Sequence, residues 1–250
     1  MIQVTYRELL EAGSHFGHRV SRWNPNMRPY IFGKRNGIHI IDVRETLKGM
    51  IRAGHAASRI AANGGDILFV GTKRQARELV HQAALRCGMP YVLDRWLGGT
   101  LTNFETIKSR VRRLDDLEAM EKDGSIHQLS KKVVSSLMRD KRKMLRNLQG
   151  IRLMKQIPAG IIVVDPGRED NCVMEARRLG VVTISLLDTD CDPTGVDFAV
   201  PGNDDAMKSI GIFLRVMADA IIEGRRLSGR SFDAAPEQAE AQAGAIAAAE

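Results

Sequence analysis

Carboxylates gather at the ends of the later apolar runs of this chain: Asp165 in VVDPG, Asp188, Asp190 and Asp192 in LLDTDCDPTG, and Asp204 and Asp205 in VPGNDD. With His18 or His39 such a group could hold a divalent cation through oxygen and imidazole ligands. Strand ends and helix starts favour the same residues, however, and Asn203 and Asp204 suit the cap of the helix that follows. No spacing singles out a nucleophile, a base and an orienting group, so an enzyme site is not expected. His15 and His18 stand three apart without an HExxH or comparable ligand set, and His39 and His55 stand alone, so packed structural histidines are the expectation. The turn VGTKRQA at 70–76 matches neither GxGxxG nor GxxxxGK[ST]. Lys73 and Arg74 could hold an anion at a helix start, although solvated bases at a strand-to-helix turn are the plainer expectation.

A second chemistry is carried by cations. The segment HFGHRVSRWNPNMRPYIFGKRNG at 15–37 interleaves Arg19, Arg22, Arg28, Lys34 and Arg35 with Trp23, Tyr30 and two prolines. Each proline biases its predecessor toward extended geometry and removes a donor, which excludes a regular helix and indicates an ordered loop or arm. Between residues 104 and 155 lie fourteen lysines and arginines against seven acids. Lys108, Arg110, Arg112 and Arg113 crowd the first half of that stretch; Lys131, Lys132, Arg139, Lys141, Arg142, Lys143 and Arg146 crowd the second. Some must pair with Asp115, Asp116, Glu118 and Asp140 at helical spacing, yet a twofold excess of bases repels itself without a polyanionic partner. Phosphates are that partner, and arginine can grip them bidentately. Trp23 and Tyr30 are expected to anchor the arm rather than stack on bases.

The elements that must position these groups follow from periodicity. IHII (38–41), DILFV (66–70), GIIVV (160–164), VVTISLL (181–187) and the shorter DFAVP (197–201) read as buried strands. Helical patterns follow most of them, at 44–62, 73–87, about 169–179 and 204–226. Such alternation implies right-handed crossovers and a doubly wound α/β sheet with helices on both faces. From Leu101 to Ile157 no strand appears, and Phe104, Ile107, Val111, Leu114 and Leu117, then Leu129, Val133, Leu137, Met144, Leu148 and Ile151, recur at helical spacing around a KDGS turn. Two amphipathic helices joined in this way form an antiparallel hairpin. The expected organisation is therefore a basic arm at 1–37, a sheet domain at 38–100 and 158–229, a hairpin insertion at 101–157, and a flexible Ala- and Glu-rich tail at 230–250.

Composition narrows the classes. The formal net charge is +7, and it resides in the arm and the insertion, since 38–103 together with 156–230 has seventeen charges of each sign. No apolar run approaches the roughly 20 residues needed to cross a bilayer, and the opening residues lack a secretory-signal pattern, so a cytoplasmic protein is expected. Cys87, Cys172 and Cys191 are far apart with no CxxC pair, which argues against a disulfide framework or a cysteine zinc site.

Several longer stretches carry a resemblance. AGSHFGHRVSRWNPNMRPYIFGKRNGIHIID, ILFVGTKRQA, RWLGGTLTNF, PAGIIVVDP and DPTGVDFAVPGNDDA, in this order and at this spacing, resemble the bacterial small-subunit ribosomal protein two family, from about residue 3 to 226. The resemblance implies a flavodoxin-like or Rossmann-like sheet with an inserted coiled-coil hairpin, no catalysis and no cofactor. It further implies a place between head and body of the small subunit, binding to small-subunit ribosomal RNA, and neighbouring ribosomal proteins that include ribosomal protein one. The cations named in the arm and hairpin are the positions assigned to RNA. Two rivals are a sugar-phosphate or nucleotide enzyme on the same fold, for which no phosphate loop is found, and a free regulatory RNA-binding protein. The 5% aromatic content is low for a sheet that reads RNA bases.

Overall fold

The computed structural model of the protein describes residues 4–229, and the expected tail lies outside them. A short helix, α1 (Tyr6–Glu11), is capped by the Thr5 hydroxyl, which accepts from the Glu8 N–H. β1 (Phe16–Arg19), β2 (Ile31–Arg35) and β3 (Ile38–Ile41) then form an antiparallel sheet in the order β1-β3-β2. IHII therefore does not join the parallel sheet as expected. It is the centre of a separate one, and the arm supplies both its neighbours. The signal was present in Asn36–Gly37, whose φ values of 51° and 76° make the tight turn that joins β2 to β3. Between β1 and β2 the chain makes two short 3-10 turns, Val20–Arg22 and Pro25–Tyr30; Pro25 opens the second, where its missing N–H costs nothing.

The main sheet follows, flanked by helices. In chain order come α2 (Val43–Ala62), β4 (Ile67–Val70), α3 (Arg77–Cys87), β5 (Tyr91–Val92), α4 (Phe104–Lys122), α5 (Lys131–Leu148), β6 (Gly160–Val164), α6 (Asp170–Leu179), β7 (Val182–Leu187), β8 (Phe198–Pro201) and α7 (Met207–Leu227). The parallel strand order β5-β4-β6-β7-β8 is the flavodoxin-like winding, with its switch point between β4 and β6. β5 was not expected, since two residues are too few to show a period. Every residue of β4 and β6 is buried, because both faces of a parallel sheet are covered. Ile67, Phe69, Ile162 and Val164 pack in one core with α2, α3 and α7. Leu68, Val70, Ile161 and Val163 pack in the other with α6 and the roots of α4 and α5.

The long insertion folds as the helices α4 and α5 joined through a 3-10 turn, Ser125–Gln128. Lys141 pairs with Glu121, and Arg152, just beyond α5, pairs with Asp115 and Glu118. As the chain advances along α5 its partners recede along α4, so the two run antiparallel.

Candidate nucleic-acid interface

The arm is held down by its apolar residues. Met27 is fully buried against Leu187 and Cys191, with Tyr30 packed on the same cluster. The Trp23 ring lies 5.1 Å from that of His39 at 43°. Asn24 donates its N–H to the Thr189 carbonyl at 2.8 Å, and the His18 N–H donates to the Thr189 hydroxyl at 2.9 Å. Both rings therefore anchor. Arg19, Arg22, Arg28, Lys34 and Arg35 are left exposed on this fixed frame, with no acidic partner among the described residues.

The insertion sorts its cations less evenly. Arg110, Arg112, Arg113, Lys131, Lys132, Arg139, Arg142, Lys143 and Arg146 are exposed, and among the described residues Arg146 alone of these forms an ion pair, with Asp94 at 3.6 Å. Lys108 is half-buried over the Phe104 ring at 4.8 Å, with Glu105 at 3.7 Å. Lys141 is half-buried in its pair with Glu121, and is thus the candidate least open to an outside anion.

Sequence reasoning passed over the residue that fixes the insertion's base. Glu175 on α6 accepts from Trp96 Nε1 at 3.0 Å and Gly99 N at 2.8 Å through one oxygen. Its other oxygen accepts from Leu101 N at 3.0 Å, Thr102 N at 3.1 Å and the Thr102 hydroxyl at 3.2 Å. Burial works against its charge, but these donors outweigh burial and hold the carboxyl below the usual glutamate range. Also missed were Phe16 and Phe32, 48% and 72% exposed. Phe32 sits where the β2–β3 register shifts, a bulge that re-aims side chains. Phe16 and Gly33 both oppose Ile40, and nothing stands within 4 Å of where a Gly33 Cβ would be, so this outer face is open.

At the carboxyl ends of the strands the acidic residues do converge. Lys73 is not a solvated base: its Nζ lies 2.6 Å from Asp204, 2.7 Å from Asp205 and 3.3 Å from Asp165. Burial opposes that charge, yet Asp204 and its neighbours outweigh it and raise the ammonium above its ordinary range. Residues 73–76 make a turn in place of the helix expected there, with the Lys73 carbonyl accepting from the Ala76 and Arg77 N–H groups, and α3 starts at Arg77. Nor is Asp204 a cap; Asn203 makes the turn by accepting from the Asp205 and Ala206 N–H groups. Asp204 is 1% exposed, and burial, with Asp165 and Asp188 beside it, pushes its carboxyl up to about 7 despite Lys73. His18 Nδ1 stands 3.1 Å from Asp188, whose carboxylate raises the imidazole to about 9 against the effect of burial. His18, Asp188 and Asp204 could each turn one ligand atom to a common divalent ion, as could Asp165, Cys191 and Asp204. Asp192 lies apart, accepting from Thr194 and Asn26. His39 is 8% exposed under Trp23, on the inner face of its sheet. Burial pushes all three thiols up, so none is an activated nucleophile.

Comparison with known proteins decides between the rivals. A family profile described as ribosomal protein S2 matches residues 9–224. The chain belongs to the ribosomal protein S2 family. It is similar to the small ribosomal subunit protein uS2 of Rhodopirellula baltica, with 56% identity over 225 residues that cover 90% of this chain and 86% of the relative. S2 membership makes the chain a structural component of the small ribosomal subunit and not an enzyme, so the acidic rim is not a catalytic centre. No helix among the described residues is long and apolar enough to cross a membrane.

Proposed function

We propose that this S2 protein docks on small-subunit ribosomal RNA, between head and body, through the cations of its arm and insertion, and that it helps to recruit ribosomal protein one. The observation that carries the first part is the exposure of every assigned cation except Lys108 and Lys141, on two segments that are pinned to a neutral sheet. Arginine and lysine on a fixed frame meet phosphates without having to be ordered first. For the protein partner the support is the open outer face of the three-stranded sheet. Exposed large apolar residues mark protein contacts, and Phe16 and Phe32, 48% and 72% exposed, lie on the two edge strands of a sheet whose outer face the fold leaves uncovered.

Sedimentation of a lysate through sucrose gradients at low and moderate salt tests the first part. The chain should travel with small subunits and loosen as salt rises; a chain that stays at the top in both conditions refutes it. Phe32→Ala tests the second, with an expected loss of ribosomal protein one from subunits that keep the variant. Undiminished ribosomal protein one would remove the outer face from that role.

A further inference from the structure

We propose that one face of α5, and not α4, is the RNA-binding surface of the insertion, and that it takes the phosphate backbone of double-helical RNA. This rests on the RNA-docking reading above and narrows it. Over Phe104–Lys122, α4 carries five lysines and arginines and five acids, whereas over Lys131–Leu148, α5 carries seven cations against Asp140 alone. The positive charge of the insertion is therefore the charge of α5. Carboxylates of α4 are turned to the same end, since Glu121, Glu118 and Asp115 are occupied with Lys141 and Arg152 rather than with α5's outer cations.

Helical geometry gathers those outer cations. At about 100° per residue, Lys131, Lys132, Arg139, Arg142, Lys143 and Arg146 fall within an arc of about 120°. Val134, Leu137, Met138, Leu145 and Leu148, all half-buried or buried, lie outside that arc, and so does Asp140. The six extend over about 22 Å of helix at about 1.5 Å per residue. All six are exposed. On α4 the cations share their faces with acids, as Arg112 does with Asp115, Asp116 and Glu105, and a phosphate approaching there meets both signs.

The kind of RNA follows from what α5 lacks. It has no aromatic residue. Single-stranded RNA is held by stacking its splayed bases on aromatic rings, whereas a duplex hides its bases and presents phosphates and 2′-hydroxyls. A cationic ridge with the exposed hydroxyls of Ser135 and Ser136 between its ends matches the second surface.

The test compares two full-length variants on small subunits depleted of this protein. One carries Arg139→Gln, Arg142→Gln, Lys143→Gln and Arg146→Gln; the other carries Lys108→Gln, Arg110→Gln, Arg112→Gln and Arg113→Gln. Glutamine keeps helix propensity, and circular dichroism checks that both variants remain folded. Each lost phosphate contact should lower the slope of log affinity against log salt by about 0.7–0.9, so the α5 variant should lose about 3 from the slope while the α4 variant stays near the parent. A duplex RNA competitor should displace the parent at lower concentration than a single strand of equal length. Equal losses from the two variants, an unaffected α5 variant, or a better single-stranded competitor would each overturn the inference while leaving the docking proposal standing. A parent that does not bind depleted subunits would instead defeat the docking proposal itself, and this inference with it.

Discussion

Replacing Glu175 with glutamine should loosen the base of the insertion by an amount the geometry sets. The carboxylate accepts five hydrogen bonds from Trp96, Gly99, Leu101 and Thr102, residues of the segment that runs into α4. A glutamine can keep its oxygen toward Trp96 and Gly99, but its amide nitrogen then faces the N–H groups of Leu101 and Thr102. Two charge-assisted bonds are lost, worth about 1.5–3 kcal/mol each where water is excluded. Thr102 is exposed and Glu175 half-buried, so solvent recovers part of the loss, and about 2–4 kcal/mol in total is expected. Because the folded carboxyl lies below the ordinary range, its stabilisation is fully present above the unfolded value near 4.3 and disappears as pH falls through the folded value. The parent and Glu175→Gln should thus differ most at neutral pH and converge in acid. Urea unfolding followed by tryptophan fluorescence, at pH 7 and at intervals down to pH 3, measures both quantities. A difference under about 0.5 kcal/mol at pH 7, the usual range for surface changes, would refute the clamp. So would a difference that does not shrink on acidification.

Two further outcomes follow from close packing and buried charge. Lys73→Met removes the ammonium that pairs directly with buried Asp204 and leaves His18 as the nearby cation for Asp165, Asp188, Asp204 and Asp205; about 2–4 kcal/mol should be lost, with the penalty larger at pH 8 than at pH 6 because Asp204 can take up a proton in acid. Urea midpoints that show the same penalty at both pH values would contradict this. Gly224→Ala gains about 1 kcal/mol of helix propensity, but the added methyl would collide with the Ser58 carbonyl of α2, so α2 and α7 must part and the melting temperature should fall. An unchanged or raised melting temperature would show that the helices yield freely.

The parallel sheet was legible because its strands are covered on both faces and therefore read as unbroken β-branched runs. IHII looked like one of them. Its burial alternates, with His39 and Ile41 inside and Ile38 and Ile40 half-exposed, which is the mark of a sheet with one open face, but four residues are too few to separate that pattern from a continuous run. The cations were legible as a density of charge. Their availability was not, since Lys73 meets Asp204 across 131 residues of sequence, Arg152 meets Glu118 across 34, and Lys141 meets Glu121 across 20. Helical spacing within α4 or α5 could not indicate pairs that exist only once the two helices lie side by side. Glu175 was hidden for the same reason: its donors lie more than seventy residues earlier in the chain, and nothing in EARRL sets one glutamate apart.

Under the docking proposed above, the acidic rim would acquire a role from where it sits. It adjoins the arm, because His18 on β1 faces Asp188 and the Thr189 backbone and hydroxyl hold the arm in place. Asp165, Asp188, Asp190, Asp204 and Asp205 outnumber Lys73 and His18 there even with both cations charged, so this edge of the sheet would repel a phosphate. Repulsion at one edge fixes orientation as firmly as attraction at another, since a wrongly turned protein would bring like charges together. If the arm and α5 dock on RNA as proposed, Arg19, Arg22, Arg28, Lys34 and Arg35 and the cationic face of α5 would engage it only in poses that keep the carboxyl edge of the sheet turned away. In that docking the sheet domain, whose charges sum to zero, would be the spacer between them, and its one acidic edge would select the pose.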